Sequence, residues 1–390
     1  MKFIALGATN SVGASCYFLQ IDGTNLLLDC GKGILQNKFS SNGHNTFGPD
    51  FTSLSDVGLV SIAQIDAILI SHGHYDHIGY LPEIIQQCPD TPIYATSTTK
   101  KLGHYLIMDN LNISENISLE QKNSIELNSI NAIERIHPLN FLKPIQIGAL
   151  QVTFYEAGHV PGAAMILIES QNEGSVLYTG DFRKTTTKLT PGYLLPDTMQ
   201  PDILLMCGLH AKHPKYIMPD GLDSIVNKIN EAIWNNVPCF IPTRELTKGI
   251  EIISFLADKM QTSDIAFTPI FVDDNIWNLN ERLQEIGISV INEQCSRFPY
   301  LTIKGKKAAG IYIGGKKYRH FFQTIIDTKF SLHAGYSDCS ELIEELNPAT
   351  VILVHSPDDT YPEQKGNFAL SKEYPDINFI YPQVGRQYDL

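Results

Sequence analysis

The sequence predicts an α/β protein in which a parallel α/β unit interrupts a strand-rich domain. Up to about residue 206, short apolar runs alternate with turn residues, which is typical of β-strands. From about residue 220 to about residue 290, helical patterns alternate with strand patterns, as expected of parallel α/β structure. Strands resume after about residue 325, and no long polar linker or internal repeat separates the parts. The middle unit is therefore predicted to be an insertion within the first domain.

The predicted elements follow in chain order. The first region has one clear helix at about residues 97 to 110, and its strands are KFIALGAT, ASCYFLQI, NLLLDC, IDAILIS, PIYAT, LQVTFYEAG, AAMILIES, SVLYTG and ILLMC. The middle region predicts helix GLDSIVNKINEAIWNN, strand VPCFIPT, helix ELTKGIEIISFLADKM, strand IAFTPIFV and a helix from about Ile276 to Ile286. The last region predicts a helix near SDCSELIEEL and the strands VILVHS and INFIYP.

Composition favours a folded protein of the cytoplasm. The chain is 43% hydrophobic and 18% charged, which argues against extended disorder. Its N-terminal apolar run is too short for a signal peptide, and no stretch approaches the roughly 18 apolar residues that a membrane helix needs. The seven cysteines are scattered without a Cys-x-x-Cys pair, so we expect buried thiols and neither disulfides nor a thiolate zinc site.

The net charge of −13 argues against a protein that coats nucleic acid non-specifically. One basic stretch stands out, and it contains Lys304, Lys306, Lys307, Lys316, Lys317 and Arg319. Gly314 and Gly315 within this stretch predict a hairpin. Two interpretations stay open: the lysines guard a solvated strand edge, or they line a groove that binds nucleic-acid phosphates.

The segment SHGHYDHIGY, residues 71 to 80, concentrates metal-ligand side chains directly after an apolar strand. His72 and His74 are two residues apart, so their side chains lie on the same side of an extended backbone and reach one ion. Asp76 and His77 follow where the chain turns, displaced enough to serve a second ion. Imidazole and carboxylate suit zinc, and two ions about 3.5 to 4 Å apart can hold a hydroxide and a phosphate together.

Three further candidates stand at strand ends: Asp29, His159 and Asp181. His159 and Asp181 stand next to a glycine, which allows close approach of the backbone. Each alone is compatible with an ordinary turn residue. Their recurrence in one arrangement favours a shared metal site.

Together, these residues resemble the signature of the metallo-β-lactamase superfamily. Three other segments resemble motifs of the β-CASP nuclease family: VPCFIPTRELTKGIEII, FSLHAGYSDCSEL and VILVHSPDD. The resemblance covers nearly the whole chain. It implies a metallo-β-lactamase αββα sandwich with a short inserted β-CASP cap of parallel α/β type, and a cleft between them that holds the metals. The implied domain boundaries are 1–206 and 323–390 for the sandwich and 207–322 for the cap.

The resemblance also implies two zinc ions per chain and a ligand set for each. One ion would be bound by His72, His74 and His159, and the other by Asp76, His77 and His355, with Asp181 bridging the two. Catalytic roles are implied for Asp76, for Asp29, which would orient the cluster, and for His333, which would face the scissile phosphate and transfer a proton.

The sequence departs from the family pattern in three respects. The cap is short and the chain ends soon after His355, so the appended C-terminal domain of RNase J enzymes is not expected, and an RNase J is disfavoured. The other two departures concern single motifs. Cys207 occupies the position after a strand where the family has an acidic residue, the expected partner of His333. The segment Thr247–Glu251 replaces the family's Gly-Arg-Ala-Gln-Glu and keeps only the glutamate, with Lys248 in place of the arginine.

The function implied by the resemblance is that of a zinc-dependent ribonuclease, of the endonuclease type, in RNA processing. It would hydrolyse RNA phosphodiester bonds with a hydroxide activated by two metal ions. His355 favours RNA, because the DNA-processing branch of the family typically has an apolar residue there. The expected partner is single-stranded RNA, bound by Lys248, Lys316, Lys317 and Arg319. No membrane partner is expected, and the oligomeric state is open, with a homodimer among the options.

Two other classes of function stay open at this point. A hydrolase of a small ester or a nucleotide phosphodiester would use the same zinc pair without a cap. A non-catalytic scaffold of an RNA-processing complex would be expected to lose metal ligands, and every ligand type is present here. Assays on RNA, on single-stranded DNA and on a generic phosphodiester separate the three.

Overall fold

The computed structural model describes residues 1–35, 45–112, 118–211, 221–243, 246–290, 295–298, 307–356 and 369–390. The chain divides into two compact units. Unit 1 comprises Met1–Thr185, Gly192–Ile217 and His333–Leu390, and unit 2 comprises Thr186–Pro191 and Met218–Leu332. The domain boundaries 1–206, 207–322 and 323–390 stay a prediction.

The first sheet of unit 1 is antiparallel at one end and parallel at the other. The described strands, in spatial order, are β21 (Gln387–Asp389), β1 (Lys2–Ala5), β2 (Tyr17–Ile21), β3 (Thr24–Leu28), β6 (Ala67–Leu69), β7 (Ile93–Thr96) and β8 (Ile136–Leu139). β1, β2 and β3 pair antiparallel, whereas β3, β6, β7 and β8 run parallel. β4 (Gly33–Leu35) and β5 (Asn45–Phe47) form a separate small ribbon.

The second sheet of unit 1 has the same mixed character. Its described strands, in spatial order, are β20 (Asn378–Ile380), β19 (Thr350–Val354), β13 (Ile203–Cys207), β12 (Gly174–Tyr178), β11 (Ala164–Ser170), β10 (Leu150–Glu156) and β9 (Ile145–Ile147). β9 to β12 are antiparallel, and β12, β13, β19 and β20 are parallel.

The main core of unit 1 lies between the two sheets. Successive side chains of a strand point to opposite faces, and β3 shows this directly. Leu26 and Leu28 belong to the core that also contains Phe154 and Ile166 of the second sheet. Leu27, between them, faces a different core. Burying a side chain such as Phe154 fully contributes roughly 1.5 to 3 kcal/mol to folding.

Helices of unit 1 cover the outer face of its first sheet. Ile68 and Leu27 of that sheet share a core with Ile78 of α1 (Tyr75–Ile78), Ile84 of α2 (Leu81–Ile84) and Ile133. The remaining described helices of unit 1 are α3 (Ser97–Asn112), α4 (Leu119–Glu134), α8 (Tyr336–Leu346) and α9 (Ala369–Glu373), with two 3₁₀ turns at Thr52–Val57 and Ile62–Gln64. This arrangement of sheets and helices agrees with the predicted sandwich.

Unit 2 is a parallel α/β unit, as predicted. Its described strands pair in the order β16 (Cys295–Arg297), β15 (Ile270–Val272), β17 (Ile311–Gly315), β14 (Cys239–Thr243) and β18 (Thr324–Ile325), and every pairing is parallel. Its helices are α5 (Asp223–Trp234), α6 (Leu246–Gln261) and α7 (Asp274–Glu285). Asp273 caps α7, because its carboxylate accepts a hydrogen bond of 2.9 Å from the backbone N–H of Ile276.

The predicted hairpin around Gly314 and Gly315 is wrong. β17 ends at Gly315 and leads into a 3₁₀ helix, Lys316–Phe321. β17 has parallel partners on both sides, so its chain cannot return as an adjacent antiparallel strand. Asp273 instead accepts a hydrogen bond of 2.8 Å from the N–H of Gly315 where the strand ends. Lys304 and Lys306 of the basic stretch lie outside the described residues.

Among the described residues, no helix combines the length and apolar character needed to span a bilayer. All seven cysteines are buried free thiols, as predicted.

Candidate metal centre

Loops at the carboxyl ends of strands from both sheets of unit 1 carry the candidate residues. Asp29 follows β3, and His72 and His74 follow β6. The N-terminal turn of α1 presents Asp76 and His77. The second sheet supplies His159, Asp181 and His355 from the loops after β10, β12 and β19. His333 is the first residue of the last segment of unit 1 and lies shortly before α8. The structure thus brings every predicted zinc ligand into unit 1.

A first group of possible metal ligands consists of His72, His74, His159 and Asp181. One ligand atom from each lies within 4.8 Å of those of the others. Nε2 of His159 is 3.2 Å from Nδ1 of His74, and Nε2 of His72 is 3.8 Å from Oδ2 of Asp181. Three imidazoles and one carboxylate at such spacing match the donors of a four-coordinate zinc site.

A second group contains Asp76, His77 and His355. Nε2 of His77 and Nε2 of His355 each lie 3.9 Å from Oδ2 of Asp76. Asp181 lies beside this group too, with its Oδ2 3.5 Å from Nε2 of His77. One carboxylate is therefore close to both groups, as a bridging ligand must be.

Burial and charge set the protonation of these groups. Burial lowers the pKa of His72 well below its usual range, and the rings of His77 and His74 act in the same direction. Burial alone would raise the pKa of Asp181, but the rings of His77, His355 and His333 outweigh it and hold that pKa well below its usual range. Burial alone would lower the pKa of His77, but the carboxylates of Asp181, Asp29 and Asp76 outweigh it and hold that pKa well above its usual range. A metal needs ionised carboxylates and neutral imidazoles, so its binding displaces a proton from this ring.

Asp29 is fully buried and organises the cluster without belonging to either group. Its carboxylate accepts hydrogen bonds from the Ser71 N–H at 2.7 Å, the Ser71 hydroxyl at 2.7 Å and the Tyr178 hydroxyl at 2.5 Å. Nδ1 of His77 lies 2.7 Å from the same carboxylate, which leaves Nε2 of that ring for a metal. The backbone of Asp29 is left-handed, with φ of 61°. Such strain in a non-glycine residue is typical of functional positions.

Ser15 is a further member of the site, and the sequence offered no signal for it. It is fully buried, and its hydroxyl oxygen lies 3.1 Å from Nδ1 of His355 and 3.5 Å from Nε2 of His77. The loop that carries Ser15 also fixes the backbone of His355, whose N–H donates a hydrogen bond of 2.6 Å to the carbonyl of Ala8. His355 is left-handed as well, with φ of 50°.

The glycine next to Asp181 has a specific packing reason. Gly180 is left-handed, with φ of 52°, and an added Cβ would lie 2.6 Å from Cβ of Ser71. Its small size therefore lets Ser71 approach from the neighbouring loop. From the sequence, this glycine was interpreted as letting the backbone approach a metal ion closely. In the structure, the group that comes close to Gly180 is the side chain of Ser71.

His333 stands beside both groups. Its Nδ1 lies 3.4 Å from Oδ2 of Asp181, and its ring centroid lies 4.5 Å from that of His159. Burial lowers the pKa of His333 to about 4, the rings of His355 and His210 act in the same direction, and Asp181 opposes them. His210 was not among the predicted residues, and its ring lies 6.3 Å from that of His333.

Buried polar atoms of the centre fit a bound cation. Nε2 of His72, Nε2 of His355 and both carboxylate oxygens of Asp181 are buried and have no hydrogen-bond partner among the residues that the structure describes. Leaving such atoms unpaired costs roughly 1 to 3 kcal/mol each, more for a charged group. Metal coordination removes that cost, so the residues present fit a pair of divalent ions. Nitrogen and carboxylate donors of this kind suit zinc.

The predicted substrate-binding residues lie in unit 2. Lys248, on α6, donates a hydrogen bond to the carbonyl of Phe330. Lys316 and Lys317 are exposed on the 3₁₀ helix. Arg319 forms a two-point ion pair with Asp327, at 2.7 and 2.9 Å, so its charge is partly neutralised.

Glu251, the residue retained from the family motif, is buried in unit 2. Its carboxylate accepts hydrogen bonds from the Lys188 N–H at 2.9 Å and the Leu189 N–H at 3.1 Å. It therefore holds the segment Thr186–Pro191 against α6.

A family model described as the metallo-beta-lactamase superfamily domain matches residues 18–202. A solved structure of a protein of unknown function from Enterococcus faecalis V583 matches with a TM-score of 0.59 and 15% identity, covering 100% of this chain and 99% of that one. At this identity the likeness concerns the fold alone.

Two curated relatives are similar over most of the chain. The protein named Probable RNase MJ4 of Methanocaldococcus jannaschii is 25% identical, over 91% of this chain and 93% of its own length. Integrator complex subunit 11 of Danio rerio is 31% identical over 75% of this chain, and the match spans 48% of that relative. The chain therefore spans nearly the whole archaeal relative and about half of the zebrafish one. By its matched domain, its relatives and its fold, the chain belongs to the metallo-β-lactamase superfamily, in the β-CASP nuclease family.

Proposed function

We propose that this protein is a zinc-dependent ribonuclease that hydrolyses RNA phosphodiester bonds. The observation that carries the proposal is the pair of ligand groups that meet at Asp181, with His333 beside them. A site of this kind suits hydrolysis of a phosphodiester, in which one oxygen attacks phosphorus and another leaves.

The first zinc ion would be held by His72, His74 and His159, and the second by Asp76, His77 and His355, with Asp181 shared. When bound there, the two ions supply a water of lowered pKa and positive charge for the phosphate oxygens. Asp76 is less buried than the histidines of its group, with 26% of its side chain exposed. Its carboxylate is thus placed to accept a hydrogen bond from an incoming water.

Asp29 is proposed as a positioning residue. Its hydrogen bond with Nδ1 of His77 fixes the tautomer of that ring and points Nε2 at the metal. Ser71 and Tyr178 in turn hold Asp29 in place. This chain of buried hydrogen bonds keeps the ligands oriented before any cation arrives.

His333 is proposed to donate a proton to the leaving oxygen. It lies beside the shared Asp181, and 13% of its side chain stays exposed, so a substrate oxygen can reach it. A proton given at this point prevents the build-up of alkoxide charge on the leaving group. Burial lowers the pKa of His333 to about 4 in the substrate-free protein, so the anionic phosphate of a bound substrate must raise that pKa for the ring to carry the proton near neutral pH.

RNA is the proposed substrate, and single-stranded RNA is favoured. The name of one relative supports this, since it is called an RNase. The family resemblance adds that the DNA-processing branch typically has an apolar residue where this chain has His355. Lys316 and Lys317 on the 3₁₀ helix of unit 2 are the cations proposed to contact phosphates, with Lys248 and the ion-paired Arg319 contributing less.

The test is to assay the zinc-loaded protein on RNA, on single-stranded DNA and on bis(4-nitrophenyl) phosphate. Cleavage of RNA by the wild type, and its loss in Asp181→Asn, is the expected result. His137→Ala is the matched control, because this exposed histidine on β8 lies outside both ligand groups. Hydrolysis of the small phosphodiester without RNA cleavage would favour a small-substrate hydrolase, and no hydrolysis at all would favour a scaffold.

A circular RNA separates the two modes of attack. We propose internal cleavage, in which case the circle is opened at a rate similar to that of a linear strand. An enzyme that requires a free end would leave the circle intact.

A further inference from the structure

Cys207 is placed next to the metal centre but belongs to neither of its two ligand groups. It ends β13, it is 6% exposed, and its N–H donates a hydrogen bond of 3.0 Å to the hydroxyl of Thr179. Its sulfur, a carboxylate oxygen of Asp181 and a ring nitrogen of His333 lie within 4.8 Å of one another. These three donors form a group of their own.

A second observation points to a ligand at this place. Asp181 is 1% exposed, and neither of its oxygens has a hydrogen-bond partner in the described part of the chain. Nδ1 of His333 lies 3.4 Å from Oδ2 of this carboxylate. A carboxylate offers about four lone-pair positions, so contacts with two zinc ions do not exhaust Asp181.

The chemistry of the group differs from that of the zinc pair. Both ligand groups of the pair contain only nitrogen and oxygen donors, whereas Cys207 adds a sulfur. Thiolate selects soft and borderline cations over hard ones such as Mg²⁺ or Ca²⁺. Cysteine, histidine and aspartate together are donors that tetrahedral zinc accepts.

We propose that Cys207, His333 and Asp181 form a third cation site, which takes a thiophilic divalent cation such as Cd²⁺, or Zn²⁺ in excess of the pair. On binding, the S–H bond of Cys207 breaks, the sulfur–metal bond forms, and the proton passes to solvent. No electrons are transferred. The loss of the thiol proton offsets one of the two added positive charges.

His333 is the most exposed member of this group. Its side chain is 13% exposed, and His210, whose ring lies 6.3 Å from that of His333, is only half-buried. A cation would therefore enter from the His333 side and lose its hydration water as it binds.

Occupation of the third site has one consequence that rests on the proposed function. A ring nitrogen of His333 that coordinates a cation cannot donate a proton to a leaving oxygen. Zinc beyond the pair is then expected to inhibit RNA cleavage in the wild type. If the protein is not a ribonuclease, this inhibition cannot be observed. The proposed binding of a cation to the third site can still be measured in that case.

The binding is tested by adding Cd²⁺ to the zinc-loaded, full-length protein and recording the ultraviolet absorption of the cadmium–thiolate bond. We expect a band that saturates at one cadmium–thiolate bond per chain, and its loss in Cys207→Ser. His333→Ala should weaken Cd²⁺ binding at least tenfold while the thiolate band can still form. The matched control is Cys239→Ala, which removes an equally buried thiol from a strand end in unit 2 and should keep the band.

Absence of the band in folded wild-type protein would overturn the proposal without reference to any variant. A band that persists in Cys207→Ser would also overturn it, because another cysteine would then be the ligand. Should Cys207→Ser fail to fold, Cys207→Ala replaces it with the same expected loss.

Discussion

The hydroxyl oxygen of Ser15 lies 3.1 Å from Nδ1 of His355, although 340 residues separate the two in sequence. This contact fixes the ring of a proposed ligand from the side opposite the metal. Ser15→Ala is therefore expected to weaken the affinity for one zinc ion about 10- to 100-fold and to spare the other. Competition with a chromophoric chelator measures both affinities.

Ser356→Ala is the matched control for this change. Its hydroxyl is buried like that of Ser15, and it directly follows His355 in sequence, but it has no hydrogen-bond partner among the described residues. Its removal should leave both affinities within about twofold of wild type. Equal weakening by both changes would show that packing, and not the hydrogen bond, governs the site.

The zinc content of the purified protein is expected to be about two ions per chain, because two ligand groups share Asp181. His355→Ala should lose one ion preferentially, since His355 belongs to the second group only. Elemental analysis of protein never exposed to chelator measures this. One ion or none in the wild type would contradict the paired centre.

His333→Ala is expected to retain both zinc ions and to cleave RNA roughly 10² to 10⁴ times more slowly, the usual contribution of a general acid. Zinc content and single-turnover rate are measured on the same preparation. If His333→Ala instead loses zinc, its ring belongs among the ligands of the pair.

Lys316→Gln with Lys317→Gln is expected to raise the KM for RNA and to flatten its salt dependence. Removing one lysine–phosphate ion pair from a complex with single-stranded RNA reduces the slope of log affinity against log salt concentration by about 0.7. Removing both lysines is therefore expected to reduce this slope by up to about 1.4. The exposed Lys143 of unit 1 provides the control Lys143→Gln. An unchanged slope would show that the two lysines belong to a solvated surface and do not contact RNA.

Glu156, at the end of β10, provides a prediction about stability and pH. Burial raises the pKa of its carboxyl to about 7, despite a hydrogen bond of 3.0 Å from the N–H of Gly158. The unfolded chain releases this proton near pH 4.3. Between about pH 4 and 7 the folded state thus binds more protons, and the free energy of unfolding falls as pH rises, by up to about 1.4 kcal/mol per unit.

Glu156→Gln should remove that fall, because the amide stays neutral in both states. The variant is expected to exceed the wild type in stability at pH 8 and to match it near pH 4. Urea denaturation across this range measures the difference. Glu134→Gln, at an exposed position on α4, is the control that should not alter the pH dependence.

The structure brings together the residues that local patterns in the sequence indicated as candidate metal ligands, because these residues lie directly after apolar strands. The strands that precede Asp29, His72 and Asp181 were each predicted from their apolar runs and turn residues. The carboxyl ends of parallel strands meet at one edge of a sheet, so ligands there converge without long-range information. The assignment of each ligand to an ion still depended on the family resemblance.

Contacts distant in sequence escaped prediction. Ser15 lies in a loop of small residues that resembles any turn, and only the pairing of distant strands brings it to His355. The helix α4 was also missed, because most of its side chains are polar and, among those that the structure describes, only Ser129, Ala132 and Ile133 are buried. The turn after β17 was mistaken for a hairpin because glycines mark a strand end without revealing the direction of the next segment.

The pairing of β21 with β1 has a consequence for biosynthesis. The first sheet of unit 1 is closed by residues 387–389, and His355 follows β19 late in the chain, whereas the sheet of unit 2 uses only residues 239–325. On a ribosome, the described strands of the inserted unit emerge before β19 and β21 of the surrounding unit do. A nascent chain therefore lacks the proposed metal ligand His355 until the inserted unit has been synthesised. The proposed ribonuclease would gain its full ligand set only after that point.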